Sequence, residues 1–152
     1  RGNQKPDTFD FLGFTHYCST SRKGTFLMKV KTQHQRIQNK LKEMNLWLKE
    51  TRNTIKLEDL WDQLSSKLQG HRQYFAVSSN GKSVQNFFYQ TTRLTFKWLN
   101  RRSQKRSFTW NEFYEYLKRY PLPKPTLAHT FYDLWPSTRS EPCAGNPRAR
   151  FI

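Results

Sequence analysis

The sequence predicts a mainly α-helical domain that opens with a β-hairpin. Apolar residues recur at helical spacing in three long stretches between residues 32 and 103. Ahead of them lie an aromatic and β-branched run, a turn-forming cluster and a second apolar run. Prolines break the regular pattern after residue 120. The expected architecture is therefore an N-terminal β-hairpin, a three-helix bundle, a short fourth helix and an irregular C-terminal tail.

Residues 1–8 are polar, carry Lys5-Pro6-Asp7 and read as a linker. Residues 9–17 read as one strand, residues 19–24 as turn chemistry and residues 26–31 as the returning strand. A lone hairpin is marginal in water, so residues 9–31 must pack on a helix or belong to a larger sheet. Thr32 with Gln35 has the form of a capping box for the first helix. Ile37, Leu41, Met44 and Leu48 make its stripe, which Leu46 and Trp47 widen, and residues 51–54 break it.

The second helix is expected over residues 57–75, with Leu57, Leu60, Trp61, Leu64, Leu68 and Phe75 on one side. Glu58, Asp59 and Asp62 near its start suit the helix dipole. Gly70 interrupts it late, where glycine costs about 1 kcal/mol relative to alanine, so close packing or a backbone contact is expected there. Residues 78–81 make a turn, and a third helix is expected over residues 83–102. Val84, Phe87, Phe88, Thr91, Leu94, Thr95 and Trp98 form its buried face. Thr109 with Glu112 is a second capping box, opening a short helix through Arg119. Pro121-Leu122-Pro123-Lys124-Pro125 stays extended.

Charge is the strongest functional signal. The net charge is +16 and the isoelectric point about 10.2, which points to a polyanionic partner. No stretch approaches the roughly 18 apolar residues of a membrane span, so nucleic acid is favoured over a membrane partner. No Asp or Glu occurs between Asp62 and Glu112, a window holding nine cations. Within it Arg93, Lys97 and Arg101 step along one helix face, and Arg102, Lys105 and Arg106 follow. A solvated helix face is the plain alternative, but with no acid nearby these cations have no intrahelical salt-bridge partners. Residues 11–42 are also acid-free and carry Arg22, Lys23, Lys29, Lys31, Arg36, Lys40 and Lys42. Together with Arg72, the candidate contacts are Arg22, Lys23, Arg36, Lys40, Arg93, Lys97, Arg101, Arg102, Lys105 and Arg106. Counterion release from phosphates is the physical basis.

Aromatic residues are 16% of the chain, enough for both core and stacking platforms. Phe87, Phe88 and Trp110 are assigned to core, while Tyr89 falls off the stripe and is free to face RNA or a neighbouring domain. His16, His34, His71 and His129 lack metal-ligand spacing, and His16 with Cys18 supplies two ligands where a structural zinc site needs four. Cys18 and Cys143 are too few for a disulfide framework, which fits a reduced, cytoplasmic protein. No phosphate-cradling glycine loop, nucleophile elbow or carboxylate pair for two-metal chemistry is present. The opening Arg1-Gly2-Asn3-Gln4 reads as an internal start, as in a fragment of a longer protein.

Four stretches carry a family resemblance. Phe11-Leu12-Gly13-Phe14 with its basic-tipped hairpin resembles the last conserved block of a reverse-transcriptase palm. Leu68-Gln69-Gly70-His71-Arg72-Gln73-Tyr74-Phe75 resembles a Gly-aromatic-x-x-Tyr-aromatic signature. The segment from Asn100 to Trp110 resembles a basic junction, and Glu141-Pro142-Cys143-Ala144-Gly145-Asn146-Pro147 a subgroup tail. The family is that of bacterial group II intron reverse transcriptase/maturases, and the resemblance covers about residues 9–150. His71 departs from the Trp of many members.

The resemblance implies a palm end over residues 1–31, a helical thumb over 32–103 and a basic extension over 104–152. It implies binding of group II intron RNA and of the template–primer duplex, to assist intron folding and splicing. It also implies association with the fingers and palm of the parent polymerase, a protein of the bacterial cytoplasm. The metal-binding Tyr-Ala-Asp-Asp loop is not in this chain, so no catalytic residue or cofactor is expected here, although the parent enzyme would need magnesium. The rival readings are a DNA-binding module of a mobile-element protein, with residues 110–119 as a reader helix, and a fragment with nuclease or polymerase activity.

Overall fold

The computed structural model describes residues 7–103 and 108–129. Lys105, Arg106, Cys143 and the Glu141–Pro147 stretch lie outside the described residues. Strands β1 (Thr8–Phe11), β2 (Phe14–Thr20) and β3 (Phe26–Thr32) form an antiparallel sheet in the order β1-β2-β3. Helices α1 (His34–Thr51), α2 (Leu57–Phe75), α3 (Gly81–Leu99) and α4 (Trp110–Arg119) follow. The expected hairpin is the β2–β3 pair, and the sheet gains one strand because the chain folds back at Leu12-Gly13.

That reversal is a two-residue turn with φ of +48° at Leu12 and +84° at Gly13. Positive φ at both central residues is the signature of a type I′ hairpin turn. Leucine gives no local signal for that geometry; tertiary contacts hold it. Tyr74 Oη donates to the Leu12 carbonyl at 2.8 Å, and the Gln33 amide donates to the Gly13 carbonyl at 3.1 Å. The φ of +84° at Gly13 favours glycine, and the Arg36 side chain passes within 2.9 Å of where a Cβ would sit.

Cross-strand register puts Phe9, His16 and Val30 on one sheet face, with Phe11, Phe14 and Thr32 beside them. Val30 and Thr32 are buried, and Phe14 packs on Tyr74 and Phe75 of α2. The sheet docks through the α2–α3 junction. Ser79 Oγ accepts from the Val30 amide at 2.9 Å and donates to the Val30 carbonyl at 3.1 Å. Asn80 Oδ1 accepts from the Thr32 amide at 2.7 Å. Asn80 Nδ2 donates to Thr32 Oγ1 at 2.8 Å and to the Phe75 carbonyl at 2.7 Å.

This docking corrects the expected helix start. Thr32 ends β3 and bonds to Asn80, and α1 begins after Gln33 with no side-chain cap. The helical core follows the predicted stripes, except that Leu46, expected to widen that of α1, is exposed. Met44 and Leu48 of α1 meet Leu60, Trp61, Leu64, Leu68 and Phe75 of α2 and Val84, Phe87, Phe88 and Trp98 of α3. The third helix ends at Leu99, three residues earlier than expected. Asn100 Oδ1 then accepts from the Phe108 amide at 2.7 Å and closes the junction. The Thr109–Glu112 capping box forms as expected, and Phe113 of α4 is fully buried in the same core. Trp61 Nε1 donates to the Tyr120 carbonyl at 3.1 Å, and the extended proline segment returns to pair at Val77 and His129.

Gly70 is the other correction. A Cβ there meets nothing within 4 Å, so no close contact requires glycine. Gly70→Ala is expected to stabilise the fold by about 0.5–1 kcal/mol in urea denaturation. Asn80→Ala removes three buried hydrogen bonds and strands their partners. A loss of about 3 kcal/mol is expected in the same assay.

Candidate nucleic-acid interface

Helix α3 carries Arg93 and Lys97 on one exposed stripe, which Arg101 continues just past its end. Between described residues, side-chain ion pairs are limited to Lys40–Glu43 and Lys118–Glu115. The stripe is thus uncompensated, and like charges left together favour a polyanion.

The aromatic residues nearby organise these cations. Trp98 is 7% exposed, and its indole N–H donates to Asn45 Oδ1 of α1 at 2.8 Å. Around its ring sit Arg52 Cζ at 4.6 Å, Lys97 Nζ at 5.0 Å and Arg101 Cζ at 5.3 Å from the centroid. The negative face of an indole attracts a nearby cation by about 0.5–1 kcal/mol, which offsets part of the repulsion among these three. Arg93 lies 5.7 Å from the exposed Tyr89 ring. Trp110 stacks on Phe96 at 3.7 Å and 15° yet stays 38% exposed. It is a lid on the core with one face to solvent, where sequence had assigned it to core. A cleft of about 730 Å³ lies beside it, lined by Arg93, Lys97 and Arg101. An exposed indole beside a row of cations is the chemistry of a base-stacking platform.

A second basic area lies between α1 and α2. Arg36, Lys40 and Lys67 border a groove of about 420 Å³ whose lining includes Trp47, His71 and Tyr74. Arg22 and Lys23 are exposed at the β2–β3 turn, where Ser21 Oγ accepts from the amides of Lys23 and Thr25.

Two candidates turn inward. Arg72 Nε donates to the carbonyl and hydroxyl oxygens of Thr126 at 3.0 and 3.1 Å and tethers the proline segment. Arg102 Nη2 donates to the Ile55 carbonyl at 2.7 Å, bracing the α1–α2 loop. Counting charge cannot separate such braces from free cations. Arg52 and Lys67 were missed: Arg52 lies outside both acid-free windows, and Lys67, although one of the nine cations between Asp62 and Glu112, falls outside the cation stripe. Their signal is proximity to an indole: Lys67 Nζ is 5.0 Å from the Trp47 ring.

Among the described residues, no group of three or more His, Cys, Asp or Glu gathers to hold a metal, and no helix is long and apolar enough to cross a membrane. No family model, curated protein or solved structure matches the chain.

His71 stacks on Phe87 at 3.8 Å, and burial, aided by the nearby Lys40 charge, lowers its pKa from 6.5 to about 4. The unfolded chain therefore takes up this proton first as pH falls. The stability it confers is full above pH 6.5 and is lost towards pH 4, by up to about 3 kcal/mol. His71→Phe keeps an aromatic ring at this position and removes the titration. Urea denaturation across that range is expected to show a flatter pH dependence for the variant than for the parent.

Proposed function

We propose that this chain is the RNA-binding thumb and maturase part of a group II intron reverse transcriptase. It binds intron RNA, assists its folding for splicing, and clamps the template–primer duplex beside a palm supplied by the parent protein. Polymerisation chemistry, with its magnesium, belongs to that palm. The observation that carries the reading is the uncompensated cluster of Arg52, Lys97 and Arg101 around Trp98, with Arg93, Lys97 and Arg101 beside the exposed Trp110.

A second observation supports the family. Two of the motif stretches that carry the resemblance meet in space: Tyr74 bonds to Leu12, and Phe14 packs on Tyr74 and Phe75. The DNA-reader alternative is weaker, because α4 carries Glu112 in its first turn and an exposed Glu115–Lys118 pair. Carboxylates on a reader face repel phosphate.

Salt dependence tests the reading. Each phosphate contact contributes about 0.7–0.9 to the slope of log K against log salt, so replacing Arg93, Lys97 and Arg101 together by alanine is expected to reduce it by about 2 to 3. Helix content by circular dichroism should not change. An unchanged slope, or a loss of binding matched by a loss of helix, would count against this face as the RNA contact.

A further inference from the structure

The α1–α2 groove differs in kind from the α3 ridge. It is concave, its volume of about 420 Å³ suits a small ligand, and it combines exposed cations with aromatic walls. Gly70 lies in the interior of α2, where glycine is unfavourable, and open space surrounds the position a Cβ would take. Packing therefore gives no reason for the missing side chain, whereas an occupant does. Lys67 Nζ rests 5.0 Å from the ring of half-buried Trp47, with no carboxylate partner among the described residues. The Arg36 side chain passes over Gly13 and lines the groove. Glu43 is the single acid in the lining, and Lys40 holds it at 2.7 Å.

We propose that this groove receives one unpaired nucleotide of the bound RNA, its base stacked on Trp47 over Gly70 and its phosphate met by Lys67 and Arg36. A bare phosphate would leave the aromatic walls unused, and an apolar ligand would leave the cations unused. A nucleotide satisfies both. The base displaces the Lys67 ammonium from the indole face, and the freed charge turns to the phosphate. His71 is neutral at pH 7 and adds no charge to the wall.

The inference rests on the RNA-binding reading, and its test separates the two. The full chain is titrated with a continuous RNA duplex and with the same duplex carrying a single extruded adenosine. The expected preference for the extruded form is about tenfold, the scale of one stacked base. Gly70→Leu fills the groove and should abolish the preference while leaving affinity for the continuous duplex unchanged. Lys67→Ala, at an exposed position, should shrink the preference and keeps the test open if the leucine variant does not fold. Equal affinity of the parent chain for both duplexes, or a preference undiminished in Lys67→Ala, overturns the nucleotide site and leaves RNA binding standing. Absence of binding to either duplex overturns both.

Discussion

The side chain of Asn80 joins the sheet to the helices. It bonds to Thr32 of β3 with both its carbonyl and its amide, and to the Phe75 carbonyl at the end of α2. Ser79 extends the clamp by pairing with both backbone groups of Val30. An isolated small sheet is a weak unit in water. Here the clamp and the packing of Phe14 on Tyr74 and Phe75 supply what it lacks. Because α1 leaves directly from β3, fixing Thr32 also sets where Arg36 and Lys40 enter the groove opposite Lys67.

The surface electrostatics follow from the same frame. A strongly basic chain resists compaction through self-repulsion. This one eases that cost by laying cations on aromatic faces: Arg52, Lys97 and Arg101 on Trp98, Lys67 on Trp47, and Arg93 on Tyr89. The rings position the charges without neutralising them, so the charges stay available to a polyanion. Arg72 and Arg102 are the contrast, since backbone carbonyls engage them as braces.

The helices were legible because each carries a long amphipathic stripe, and α2 runs over residues 57–75 as its pattern required. The capping box at Thr109 was equally local and equally legible. Wherever a distant partner decides, sequence was silent. Leu12 adopts positive φ because Tyr74 and Gln33 hold the turn. Thr32 has the pattern of a cap but is claimed by Asn80, 48 residues away. The exposed ridge was readable as an acid-free stripe. The groove was not, since it needs Arg36 of α1 and Lys67 and Gly70 of α2, about 30 residues apart in sequence, brought to one lining.

A nitrogen-resolved NMR titration with a structured RNA tests the central claim most directly, that a preformed and rigid basic surface binds RNA. The account predicts shifts at the amides of Arg93, Lys97 and Arg101 and at the indole N–H of Trp110, with the clamped amides of Val30 and Thr32 unmoved. Shifts confined to the exposed strands would contradict it, as would movement at Val30 and Thr32, which would mean that the surface is assembled only on binding.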